Sequence, residues 1–324
     1  LPPEHFKSLI TVLPALKPAE QLAVTDAVTA AFQQGTASAD TVLATLRATA
    51  GLPLPQVALA MRGNLDFLRM QVLDAAGIAA MRKALWSAYE PVLARLTMKP
   101  RAGESADDKD LRAKLVSWLA IQWQMPELQQ PLLESAGRVF AGDGRPALDG
   151  VPPDLLTPTL AVWARAEGAT AASRLRAELA LNTDPAQRRS LVTALAVIED
   201  TETAIAVRDF SLDPGLQLHE LYAVLATQAD NRIESGSYWS WFTAHLPKLR
   251  QRLPGLGQAR LVDIGARGMC STADAAKLAA FFDAKKLAEI SGGARNLRTA
   301  REEIGLCAAL AAHNAGYARG PQTP

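Results

Sequence analysis

The stretch GIAAMRKALWSAYEPVLARL, residues 77–96, decides the fold class. Ile78, Met81, Leu85, Tyr89, Val92 and Leu96 recur three and four positions apart, which gathers them on one face of an α-helix. DKDLRAKLVSWLAIQW, residues 108–123, carries a second such stripe in Leu111, Leu115, Trp118, Leu119 and Trp123. Ala and Leu dominate the chain and β-branched runs are absent, so the helical period holds almost throughout. Punctuation is frequent. LKPAEQ (16–21), TASAD (36–40), GLPLPQ (51–56), GVPPD (150–154), NTDPAQ (182–187) and SLDPGLQ (211–217) each pair a breaker with a helix-start signal. Pro153 suits a first helical turn, where its missing N–H would have had no partner, and Thr183 or Asp184 can cap the helix that Pro185 starts.

Segments bounded this way number about fourteen, of about 10–20 residues each, joined by short loops. From about residue 150 a helix and its turn occupy roughly 17–20 residues, so that two span a helical hairpin of HEAT length, although no strict repeat appears. The expected architecture is all-α, an irregular α–α superhelix of HEAT- or armadillo-like pairs with a concave face. Within one continuous domain, 1–140 reads as an N-terminal helical bundle and 151–316 as the array. FAGDGRPALDGVPPD (140–154) is the seam, and YARGPQTP (317–324) is expected to fray.

Composition excludes several functions. The 34 Lys and Arg balance 33 Asp and Glu, a net of +1, and the basic residues are dispersed, which argues against a nucleic-acid partner. No uninterrupted apolar run approaches the ~20 residues that cross a bilayer, so a soluble chain without membrane association is expected. LPPEHFKSLI at the start has neither the basic region nor the apolar core of a signal peptide and reads as a cut end. Cys270 and Cys307 are too few for a disulfide scaffold or a four-sulfur metal site, and read as buried free thiols, a disulfide being the alternative.

The search for chemistry returns mostly negatives. HELYA (219–223) begins like the H-E-x-x-H zinc helix, but Ala223 stands where the second imidazole is needed, so no metal site is expected. Leu218, Leu221, Tyr222 and Leu225 read as its apolar face, with His219 and Glu220 on the polar side. GLGQAR (255–260) lacks the third glycine of a dinucleotide fingerprint and follows no strand. In ESADDKD (104–110) Asp107, Asp108 and Asp110 suggest a solvated helix start, since Arg112 occupies the position of a calcium loop's glycine. In SYWSWFTAHL (237–246) Tyr238, Trp241 and Phe242, with Leu249 beyond, share one face and read as core, whereas Trp239 is directed at a neighbouring helix. Arg188, Arg189, Arg295, Arg298 and Arg301 are suited to an anionic group such as a carboxylate, against the alternative of solvated helix faces.

Five stretches in order resemble the C-terminal helical domain of the large zinc aminopeptidases, the aminopeptidase N, puromycin-sensitive and endoplasmic-reticulum group. They are HFKSLITVLPALKPAEQLAVTDAVTAAFQQG (5–35), GVPPDLLTPTLAVWARAEG (150–168), TDPAQRRSLVTALAVIEDTETAIAVRDFSLDP (183–214), GSYWSWFTAHLPKLRQRLPG (236–255) and CSTADAAKLAAFFDAKKLAEISGGARNLRTAREEIGLCAAL (270–310). The resemblance implies a non-catalytic domain that closes over a separate zinc-bearing catalytic domain and helps to hold peptide substrates. Zinc would then belong to that domain of the parent polypeptide, with no cofactor in this chain. The parent's compartment, cytoplasmic or periplasmic, is left open. Surface normally docked on the catalytic domain would favour self-association of the isolated piece.

The match has two departures. Ala196, Val197 and Ile198 follow Ala194-Leu195 where some members carry an arginine, and Pro247 interrupts a helix that continues in relatives, predicting a kink or early stop. Asn64, Asp66, Phe67 and Arg69, after the extended LPLPQ approach, are substrate-binding candidates at a chamber rim, together with Arg295 and Arg298. No catalytic residue is expected. The rival readings are a free-standing helical-repeat scaffold for a protein partner and an all-helical enzyme with an unrecognised site.

Overall fold

A computed structural model describes residues 3–142, 144–230, 235–253 and 255–321. Among these there is no strand. The helices are α1 (Pro3–Val12), α2 (Pro18–Gln33), α3 (Ala39–Thr49), α4 (Pro55–Ala58), α5 (Arg62–Gln71), α6 (Ala75–Leu96), α7 (Ala106–Ser117), α8 (Pro126–Val139) and α9 (Pro153–Glu167). They continue with α10 (Ala169–Leu181), α11 (Pro185–Ala196), α12 (Thr201–Ser211), α13 (Leu218–Ala229), α14 (Ser235–Arg252), α15 (Arg260–Ala266), α16 (Thr272–Phe281), α17 (Ala284–Ala288) and α18 (Gly293–His313). The all-α class follows from the stripes. In α6, Met81, Leu85, Tyr89, Val92 and Leu96 are buried. Each such side chain removed from water contributes about 1.5–3 kcal/mol.

The contacts divide the chain into two units, residues 1–128 with 309–324, and residues 129–308. In the first unit α7 does not run straight on from Ser117. It widens into a π-helical turn, Trp118–Gln122. That extra residue per turn keeps Trp118 and Trp123 both buried, edge to face at 6.4 Å. The acidic stretch starts α7 as expected, with Ser105 accepting from the Asp108 N–H at 3.1 Å, but Arg112 is fully buried. Its guanidinium grips the Glu104 carboxylate and donates to Leu96 O at 3.2 Å.

Residues 317–321, expected to fray, are held. The Asp74 N–H donates to Ala318 O at 2.9 Å, Arg319 pairs with Asp74 at 3.2 Å, and Gly320 is buried. The contact needs two glycines. A Cβ on Gly77 would run into Ala318 O, and one on Gly320 would stand 2.7 Å from Gly77 O. Residues 322–324 of the expected tail lie outside the described residues.

The second unit is ordered by alternation. α9 packs on α11, α11 on α13 and α13 on α15, while α10 packs on α12 and α12 on α14. α9, α11 and α13 each also touch the helix that follows them. Capping sets the turns: Asp184 accepts from the Ala186 and Gln187 N–H groups, both at 2.8 Å, so Asp184 rather than Thr183 caps α11. α14 does not stop at Pro247 but runs to Arg252. Tyr238, Trp241, Phe242, Leu246 and Leu249 on its inner face are buried, and this burial outweighs the one backbone hydrogen bond that proline removes. Trp239 reaches α16, its ring 5.4 Å from Phe281 in an edge contact.

Candidate functional site

In the second unit, two glycines three residues apart shape the concavities beside α15. A Cβ on Gly265 would stand 2.7 Å from the Phe242 ring, so α15 lies closer to α14 than any larger residue permits. Gly268, at φ +79°, turns the chain where a side chain would strike Ala229 O. Between them Arg267 is set at the junction of three adjoining cavities of about 250, 160 and 310 Å³. The first is lined by Tyr222, Arg260, Asp263 and Arg267. The second adds Trp239 and Lys277, and the third Glu303 and Cys307.

The charges there are largely matched. Arg267 pairs with Asp230 at 3.0 Å, and Arg260 stacks over the Tyr222 ring at 5.2 Å. Asp263 accepts from Asn296 Nδ2 at 3.1 and 3.3 Å. Burial raises the Asp263 carboxyl above its ordinary pKa, and the negative charge of Glu303 adds to the shift. Lys277 lies 4.9 Å from the Trp239 ring centroid. Guanidinium, ammonium and carboxylate groups around partly apolar walls suit binding of an extended polar ligand. Among the described residues no group of three or more His, Cys, Asp or Glu side chains is placed to hold a metal, and no helix is long and apolar enough to cross a membrane.

The residues singled out from sequence fall in both units. Asn64 is buried and donates to Thr29 Oγ1 at 3.2 Å. Asp66 accepts from Trp118 Nε1 at 2.8 Å and lies 3.6 Å from Arg62. Burial raises its pKa against the opposing pull of the Trp118 hydrogen bond and of Arg62 and Arg69. Phe67 meets Phe32 edge to face at 6.0 Å, and Arg69 donates to Gln122 Oε1 at 3.3 Å. Asp66 and Arg69 thus brace the π-helical turn from α5. Arg295 and Arg298, in the second unit, are exposed on α18. Sequence reading missed Arg260, Asp263 and Arg267. The signal available was GARG (265–268), two glycines spaced for close packing between charged side chains.

The family model of the ERAP1-like C-terminal domain matches residues 1–306. The chain belongs to that family. This agrees with the resemblance carried by the five ordered stretches, to a C-terminal domain of the aminopeptidases. No curated protein matches the chain significantly.

In this ERAP1-like domain HELYA has a structural task. Glu220 is not on a solvated side but buried, its two oxygens each accepting from Arg188 at 2.8 Å. It also accepts from the Gln217 N–H at 2.8 Å, closing a capping box on α13. Burial pushes its pKa up, but the Arg188 and Gln217 hydrogen bonds outweigh that and leave it below the ordinary value. Arg188, read as a candidate for an external anion, instead spends its donors on Glu220, Leu179 O (2.7 Å) and Asn182 O (2.9 Å). His219 is exposed, and Leu218, expected on the apolar face, is 41% exposed because it opens the helix beyond the reach of the core.

The cysteines also depart from expectation. Cys270 and Cys307 are not free thiols but a disulfide, their Cα atoms 5.2 Å apart. Cys270 precedes the α16 cap and Cys307 lies on α18, a pairing set by folding across 37 positions.

Proposed function

We propose that this domain walls the substrate chamber of a zinc aminopeptidase whose catalytic part lies on the same polypeptide, capping the active site and helping to position peptides. The domain supplies no reacting group. It limits peptide length, excludes bulk water and holds the peptide so that its N-terminal residue meets the metal elsewhere on the polypeptide. The observation that carries this reading is the family match over residues 1–306. The alternating helices α9 to α15 support a superhelical, HEAT-like wall, and the Arg260–Arg267 cavities support a binding role. Arg295 and Arg298 are exposed cations available to the same peptide. Asn64, Asp66, Phe67 and Arg69, engaged in internal contacts, serve as wall. The disulfide favours an oxidising compartment for the parent. Separated from its catalytic partner, the domain is expected to self-associate, which light scattering against concentration detects.

The test is fluorescence anisotropy of the purified chain with labelled peptides of increasing length. The proposal expects affinity to rise with length and then level off, and to weaken with salt as charged contacts do. Absence of binding at every length refutes it. Capture of a folded protein in place of peptides supports the scaffold reading.

A further inference from the structure

The three cavities beside α15 share Arg267, Gly268 and Met269 line two of them, and a single covalent bond ties the turn these residues begin to α18. Apart from that bond the turn is held by the Arg267–Asp230 pair and by Met269, partly buried against the core. Within it the Met269 N–H donates to Ala266 O at 3.0 Å, while Arg267 and Gly268 are exposed. The helix it opens is anchored unevenly. Its far end is packed, with Leu278 and Phe282 buried and Phe281 against Trp239. Its near end is held by the Ser271 cap, which accepts from the Asp274 N–H at 3.0 Å, by the Asp274 carboxylate, which accepts from the Cys270 N–H and Ser271 Oγ, by Ala275 partly buried against the core, and by the disulfide. Leu278 is the only residue of α16 that is buried, and α17 buries none. A segment with so little apolar burial opens locally at low cost once its tether is cut.

We propose that the Cys270–Cys307 disulfide is a redox latch: its reduction frees the turn 267–271 and the start of α16, opening the cavities that Arg267 joins, while the rest of the unit stays folded. Both cysteines are partly exposed, and Cys307 lines the largest of the three cavities, which gives a small thiol access to its sulfur. The reductant is a dithiol. Its thiolate attacks Sγ of Cys307, forming a mixed disulfide and releasing Cys270 as a thiolate that takes up a proton. The second thiol of the same dithiol then closes on the first and releases Cys307. Two electrons pass from the dithiol to the cystine, and the dithiol leaves as a disulfide. This inference stands apart from the proposed aminopeptidase role, because it concerns only the movement of one turn.

The experiment compares the full chain, oxidised and after dithiothreitol, by hydrogen–deuterium exchange, with maleimide mass labelling to count thiols. The latch predicts two thiols and exchange faster by roughly tenfold or more over residues 267–277. Helices α9 to α13 and the first unit stay unchanged. A Cys270→Ser, Cys307→Ser variant reproduces the reduced pattern and ignores dithiothreitol. The idea is overturned if the bridge resists dithiothreitol in the folded protein, if exchange at the turn does not change, or if reduction or the double variant unfolds the whole unit.

Discussion

Replacing Glu220 tests the network that joins α11 to α13. Arg188 and Glu220 are 12% and 3% exposed at their side chains, so solvent screens their attraction little. Removing one partner of a buried pair costs about 3–5 kcal/mol, chiefly through the charge left behind. Here Arg188 keeps two carbonyl acceptors, Leu179 O and Asn182 O, which places the loss near the lower end. The capping box adds about 1 kcal/mol. Glu220→Ala is therefore expected to cost about 4 kcal/mol. Glu220→Gln keeps the cap and a neutral acceptor, and should cost about half as much. Urea unfolding at neutral pH, followed by far-UV dichroism and tryptophan fluorescence, reads both. The pH dependence has a fixed sign. Because the folded Glu220 pKa is depressed, its contribution is complete above the unfolded carboxylate range, near about 4.3, and is lost as pH falls through the lower folded value. The gap between parent and Glu220→Gln should thus close in acid. Both variants falling within 1 kcal/mol of the parent, or a gap that widens in acid, refutes the reasoning.

Gly77→Ala drives a methyl into Ala318 O and should detach residues 315–321 at about 1–3 kcal/mol, seen as early proteolytic loss of the C-terminal tail; unaltered proteolysis contradicts the packing. Asp66→Asn preserves an acceptor for Trp118 while removing a carboxylate whose folded pKa is raised. A raised carboxylate favours the fold most below its unfolded pKa and loses that contribution as pH rises toward the folded value, so the variant should not destabilise the protein at neutral pH in thermal melts. His219→Ala, at an exposed position, should leave stability unchanged to within about 0.5 kcal/mol in the same urea assay used for Glu220.

What could be read from the sequence was whatever depends on neighbours along the chain. The stripe of α6, the cap at Asp184 and the start at Pro153 are local, and periodicity and helix-end chemistry reveal them. Pro247 does not end α14, because its cost is local while the burial that offsets it comes from helices far off in sequence. The Glu220–Arg188 pair spans 32 positions, Cys270–Cys307 37, and the 317–321 contact reaches back to Asp74. No spacing rule announces such partners. For the same reason the charged groups beside α15 were passed over: their significance lies in Gly265 and Gly268 admitting Phe242 and Ala229.

The central claim is that a helical ERAP1-like domain serves an aminopeptidase without performing its chemistry. The most direct measurement is an assay of residues 1–324 on aminoacyl-anilides, with bound zinc quantified in the same sample. No turnover and no stoichiometric metal is the predicted result; turnover accompanied by one zinc per chain contradicts it.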